Sequence, residues 1–322
     1  MSIALASGTG IESAQSWGPA ARAERVVAEV AARWAVDVDR DARFPQEAID
    51  ALRDQRLLSC AVPPELGGEG ATLRELCTIA RTLGRHCAAT AMVFAMHQTQ
   101  ILSLVRHPGG DGVSAFLRDA VAGRYLLASA TTELGIGGDV RRSTCAVEQS
   151  GGVVSLVKNA PVISYGEYAD AILATARRTP DSPPSDQVLV ICRRADVTLE
   201  RTGDWNTLGL RGTCSPGLVL RATTPDLGIA DAAVEKARRY VRAAARKQSG
   251  VASPAASRLA EAAAVHQQFS DIVFAAARRF AGGRRRRLGR HLRDAHGAAV
   301  MVNNDRIMAN SAQMATAYRG TI

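Results

Sequence analysis

The period of the apolar residues changes twice along this 322-residue chain, and few folds accommodate both changes. From about Ala20 to Ala122, apolar residues recur every three or four positions, the period of amphipathic helices. Val26, Val27, Val30 and Trp34 share one stripe of a helix spanning 20–38, which a run of aspartates ends at 37, 39 and 41. Pro45 stands in the first turn of the next helix, whose buried face is Ile49 and Leu52. Thr72 followed by Glu75 is a capping box for a helix reaching Gly84. The stretch from Cys87 to Val105 is apolar on nearly all sides and reads as a buried helix, with a short helix from Val113 to Ala122 after it. At Tyr125 the pattern becomes one of short β-like runs, at 125–131, 143–148, 152–157, 170–176, 187–193 and 217–222. Turn residues separate them, which suggests an antiparallel barrel or sandwich. From 228 the helical period returns over 228–247, 253–281 and 288–318.

The fold class expected is therefore α+β and multi-domain. A frayed N-terminus (1–19) precedes an all-α N-terminal domain (20–123). An antiparallel β-barrel or sandwich forms the middle domain (124–226), and an α-helical bundle of three long helices the C-terminal one (227–322).

Composition excludes some classes. The six cysteines are scattered with no CxxC pair, which argues against zinc and a disulfide framework and for a reducing, cytoplasmic setting. No run approaches the ~18 apolar residues of a membrane span, and residues 1–17 have no signal-peptide pattern. The net charge of +9 would suit nucleic acid, but no binding motif accompanies it, and an anionic substrate or carrier explains it equally well. Hence neither nucleic acid nor a membrane is expected as a partner.

The segment Ser129-Ala-Thr-Thr-Glu-Leu-Gly-Ile-Gly-Gly-Asp-Val140 concentrates chemistry. Three glycines within four residues let backbone approach a ligand closely. Thr131 and Thr132 place two hydroxyls at a strand's end, where they can donate to or accept from ring atoms. Such a set suits a flat, polar cofactor; a Gly-rich turn between strands is the competing reading.

Four stretches, in order, resemble the acyl-CoA dehydrogenase family: Val62-Pro-Pro-Glu-Leu-Gly-Gly68, Thr132-Glu-Leu-Gly-Ile-Gly-Gly-Asp139, Leu208-Gly-Leu-Arg-Gly-Thr213 and Arg293-Asp-Ala295. That resemblance covers about 25–320. It implies a helical domain, a β-domain and a helical bundle enclosing one FAD, a CoA- or carrier-bound acyl thioester as substrate, and a homo-oligomer. By the family pattern Thr132 is the hydroxyl beside the isoalloxazine, Ala130 and Thr131 offer backbone groups, Gly137 is cofactor-binding, and Gly138 stands where the family often has a Ser near the pyrophosphate and substrate. Val162-Ile163-Ser164 resembles the family's W-I-T strand end, with Ser164 as the second flavin hydroxyl and Val162 in place of the Trp; Arg211 is carried over as substrate-binding. The reaction implied is α,β-dehydrogenation, an α-proton going to a base and a β-hydride to flavin N5.

The sequence departs from the family near its end. Between Phe280 and Leu288 there is only Ala281-Gly-Gly283 and Arg284–Arg287, where the family has a further helix and a Gly-rich turn. The arginines suit a solvated loop, or contacts to CoA phosphates or an acidic carrier protein. Alignment on Arg293-Asp-Ala295 puts Val302 where many members carry the catalytic Glu. No catalytic residue is assigned. Asp305 lies about a turn away but suits a pair with Arg306, and His296 suits a structural role. Two alternatives follow: a flavin-dependent monooxygenase on the same fold, and an inactive remnant acting as a scaffold.

Overall fold

The computed structural model describes residues 17–106, 111–136, 142–150, 153–224 and 229–230. The stretches 231–247, 253–281 and 288–318, expected as helices, together with Gly137, Gly138, Arg284–Arg287 and Val302, lie outside the described residues.

The helical domain follows the period of its sequence. Helix α1 (Pro19–Arg22) runs through a π-turn (Ala23–Val27) into α2 (Ala28–Arg40). Pro45 caps α3 (Gln46–Asp54) from outside the helix, one position earlier than the sequence suggests. Helix α4 (Leu73–Gly84) has the expected reciprocal cap: Glu75 N–H donates to the Thr72 hydroxyl at 3.3 Å, and Thr72 N–H to the Glu75 carboxylate at 2.8 Å. Helix α5 (Ala88–Arg106) packs on α4 and on the first strand, and α6 (Asp111–Ala122) follows. By length and composition α5 could cross a membrane, yet 44% of its apolar window is buried inside the protein. It buries Val93, Phe94, Ile101 and Leu104 together with His97 and Gln98.

Two four-stranded sheets make up the middle region. One has the order β1 (Leu127–Ala130), β4 (Ala171–Arg177), β5 (Gln187–Arg193), β8 (Ile229–Ala230). The other runs β2 (Glu148–Ser150), β3 (Val153–Ala160), β7 (Leu218–Thr224), β6 (Val197–Arg201). Leu156, Leu220 and Ala222 of the second sheet share one apolar core with Ile172 and Val190 of the first and with the helices.

The pairing is not wholly antiparallel, contrary to the sequence expectation. Strands β1 and β4 are parallel, with Leu127 opposite Ala171 and Ala130 opposite Ala174. The chain passes through β2 and β3 of the other sheet between them, which gives the long crossover that parallel neighbours need. The expected strand at 143–148 is mostly irregular. The Glu133 carboxylate takes the backbone N–H groups of Thr144 and Cys145, at 3.0 and 2.6 Å, so they cannot join a ladder. Strand β6, absent from the sequence expectation, pairs Leu199 with Leu220. Ile229 and Ala230, read as the first turn of a helix, instead extend the first sheet through Val190 and Leu189.

The loop 62–70 is a tight closed turn. Gly70 N–H donates to Val62 O at 2.9 Å, Ala71 N–H to Cys60 O at 2.7 Å and Gly68 N–H to Pro63 O at 3.1 Å. A Cβ on Gly68 would lie 2.0 Å from Val62 O, a backbone atom that the flanking bonds hold in place. Gly68→Ala is therefore expected to destabilise the protein by about 2–3 kcal/mol, measured as a lower denaturation midpoint at unchanged m-value.

Candidate functional site

The segment 130–136 leaves the end of β1 and crosses the end of β3, where three consecutive residues tie it down. The Thr132 hydroxyl donates to Val162 O at 2.9 Å, the Glu133 carboxylate meets Lys158 Nζ at 3.0 Å, and Leu134 N–H donates to Asn159 O at 2.9 Å. These bonds bring two of the sequence-predicted stretches, 130–132 and 162–164, to one edge. Thr131, Thr132 and Val162 are half-buried there, while Ala130 and Ile163 are fully buried.

Ser164 is buried, and its hydroxyl accepts from Ser215 Oγ at 2.9 Å; Ser215 in turn lies 2.8 Å from Thr213 Oγ1. Tyr165, next in sequence, has a left-handed backbone with φ 43° and is fully buried. A non-glycine residue holds that conformation only where its surroundings impose it. Here its N–H reaches Thr213 O and Cys214 O, at 2.8 and 3.0 Å, and its hydroxyl donates to Leu127 O at 3.0 Å.

Arg211 lies elsewhere, where the middle region meets the helical domain. Its Nε donates to Asp39 O at 2.9 Å, and its Nη1 to Thr207 O and to Asn206 Oδ1 at 3.1 and 3.2 Å. A cavity of about 10 Å³ borders it, room for one water and too small for an acyl chain. Gly212 beside it packs so closely that a Cβ would meet Val38 at 2.4 Å and Ala89 at 3.0 Å. In this arrangement the 208–213 stretch joins domains.

A buried polar cluster around Glu133 was not visible in the motifs. The Glu133 carboxylate accepts from the Ser143 hydroxyl at 2.7 Å, from the Thr144 hydroxyl, from the N–H groups of Thr144 and Cys145, and from Lys158. Lys158 is fully buried and spends its other N–H donors on Thr175 O at 2.8 Å and Cys145 Sγ at 3.5 Å. Burial opposes ionisation of Glu133, but the hydroxyl donors and the ammonium win and hold its pKa at about 2. A signal was present in the sequence: alternation along β3 puts Lys158 on the same face as Val154, Leu156 and Ala160, and a lysine there needs a buried counter-charge.

His97 was also missed. Leu127 N–H donates to its Nδ1 at 2.9 Å, and its Nε2 donates to Leu58 O at 2.7 Å, so the ring is neutral with its proton on Nε2. It links α5, the segment before loop 62–70, and the start of β1.

The arrangement of a helical domain followed by a mixed β-region is consistent with the acyl-CoA dehydrogenase fold. Residues 20–123 match the family model "Acyl-CoA dehydrogenase, N-terminal domain". The chain is 27% identical over 192 residues to cyclohex-1-ene-1-carbonyl-CoA dehydrogenase of Syntrophus aciditrophicus (strain SB), covering 58% of this chain and 45% of that one. The chain thus spans about half the length of that curated relative, or less of others. In structure it is similar to FMN-bound TdsC, a dibenzothiophene monooxygenase from Paenibacillus sp. A11-2, with TM-score 0.56, 21% identity, and 64% of this chain and 53% of the other covered. Methanesulfinate monooxygenase MsuC of Pseudomonas fluorescens is similar at TM-score 0.55 and 22% identity, over 66% and 53% of the two chains.

Burial pushes the His97 pKa down from 6.5 to about 4. The unfolded chain binds this proton near pH 6.5 and the folded protein only near 4, so His97 contributes stability that is full above 6.5 and is lost as pH falls toward 4. Thermal denaturation from pH 7 to 4.5 should show a shallower loss of Tm for His97→Gln than for the parent. At pH 7 the variant should be less stable by about 1–3 kcal/mol, because buried partners at Leu58 and Leu127 lose their match.

Proposed function

We propose that this chain is a flavin-dependent oxidoreductase that binds FAD along the edge formed by 130–136 and 162–164 and dehydrogenates an acyl thioester of CoA or a carrier protein. The observation that carries the reading is the 2.9 Å bond from the Thr132 hydroxyl to Val162 O, which holds the two predicted flavin-side segments together. The residues present fit a flavin. Thr131 and Thr132 offer hydroxyls at a half-buried rim, Gly135 has φ 88° with open space where a Cβ would stand, and Glu133, the carboxylate of this stretch, is turned inward. An anionic cofactor therefore meets dipoles and no facing negative charge from residues 130–136.

When bound, the flavin supplies a two-electron acceptor at N5. Thr131 and Thr132 would hold it at the ring edge, Ala130 would offer backbone groups beside them, and Tyr165 fixes the backbone beside Ser164. Glu133 does not serve as the base for the α-proton: held at a pKa of about 2, its carboxylate has little proton affinity at neutral pH.

Flavin-dependent monooxygenation is the second reading, favoured by Val302 at the position where the resemblance places a Glu, since valine cannot take a proton. Purified protein reconstituted with FAD should show the blue and near-ultraviolet flavin bands; protein that stays colourless defeats both readings. Acyl-CoA oxidation with an artificial electron acceptor identifies the dehydrogenase, and oxygen uptake driven by reduced flavin without that turnover identifies the monooxygenase. Thr132→Val should weaken FAD binding by about tenfold, the effect of one lost hydrogen-bonding group, as followed by flavin fluorescence quenching. Val302→Glu should raise dehydrogenase turnover if the pocket is otherwise complete.

A further inference from the structure

We propose that Glu133 and Lys158 are the positioning pair of the cofactor loop: their buried bond sets which face of residues 131–136 is presented outward. The flavin consequence rests on the reading above; the conformational consequence does not.

The argument begins with what the pair costs. Both side chains are almost wholly enclosed, with relative exposures of 0% for Lys158 and 4% for Glu133. Taking two charges out of water costs several kcal/mol per ion, and an apolar pair of similar size is often as stable. The pair is thus a poor source of net stability, and its value lies in the geometry it fixes. Saturation makes that geometry single-valued. The carboxylate accepts from two hydroxyls, two backbone N–H groups and the ammonium, and the ammonium also reaches Thr175 O and Cys145 Sγ. A satisfied network in a low-dielectric interior has few alternative arrangements.

The place of the pair gives it a function. Thr132 bonds Val162 and Leu134 bonds Asn159, on either side of the Glu133–Lys158 contact. One such bond would let the loop pivot about β3; three in succession fix its orientation as well as its distance. The central one decides the facing. With Glu133 drawn inward by Lys158, Leu134 stands 64% exposed and Thr132 half-buried at the rim. Without the lysine the carboxylate would gain solvation by turning out, toward the space where an anionic cofactor is proposed. Lys158 thus removes a repulsive charge from the site and orients the loop's donors in the same act. The pair also ties 143–145, on the far side of 137–141, to the same point of β3.

The test uses the full chain in three variants: Glu133→Gln, Lys158→Met and the double E133Q/K158M. Each single variant leaves a buried charge or its donors unpaired and should lower Tm. The double removes both charges and should return Tm to within about 3 °C of the parent. If the pair positions the loop, FAD affinity stays reduced by about tenfold or more in the double, and amide exchange of the apo protein is faster across 131–136 in every variant that folds. A double variant with the parent's Tm, FAD affinity and exchange overturns the proposal. A parent that takes up no FAD defeats the flavin reading instead. Exchange across 131–136 then decides the positioning role, with unchanged protection in E133Q counting against it.

Discussion

Leu127 is held from both sides, and the relation between the helices and the sheets depends on that grip. Its N–H donates to His97 on α5, and its carbonyl accepts from the Tyr165 hydroxyl at the end of the β3 segment. All three residues are fully buried, so neither bond competes with water. Unmaking either would leave a desolvated backbone group without a partner, a cost larger than a typical net hydrogen bond. The grip also explains two otherwise unfavourable choices. His97 stays neutral in a site that forbids its charge, and Tyr165 accepts a left-handed backbone that a side chain ordinarily avoids. Both place the start of β1, and the donors at its far end inherit that placement three to five residues on.

The second constraint is electrostatic and acts just beyond the other end of the same strand. Residue 133 carries a buried charge, and β3 supplies the counter-charge from its inner face. Together the two ends define β1 as a short, rigid bar: Leu127 fixed by neutral hydrogen bonds, 132–134 fixed by a mixture of neutral and ionic ones. Four residues of strand between them leave little room for slippage, because a one-residue shift would turn every side chain to the opposite face.

The helical domain was legible in the sequence because its elements are local. Each has its own stripe, cap or breaker, and the Thr72–Glu75 box needs no distant partner. The sheets were legible as strands but not as pairings. Nothing within Leu127–Ala130 states that its neighbour is Ala171–Arg177 or that the two run parallel. Strand β6 was lost because Val197–Arg201 buries little on either face, so its alternation is shallow. The irregular course of 143–147 depends on a carboxylate ten or more residues earlier, beyond any local window. At the candidate site the hydroxyls and glycines were visible as residue types, whereas the anchors behind them were not. His97, Tyr165 and Lys158 act through backbone groups far away in sequence, and of these only Lys158 left a trace, as a charge on an apolar face.

That division has a chemical consequence. The described donors around 130–136 are turned inward: two hydroxyls, two backbone N–H groups and an ammonium converge on the loop's own carboxylate, and the Thr132 hydroxyl is spent on Val162 O. They order the loop and do little to accept a proton. Glu133 is stabilised as an anion by five donors, and the same donors that hold its pKa near 2 weaken it as a base by general Brønsted behaviour. The order of the loop and the choice of reaction are therefore separable. The order belongs to β1, β3 and the bonds between them, while the proposed dehydrogenation also requires a proton acceptor, a role for which a buried, donor-saturated carboxylate is poorly suited.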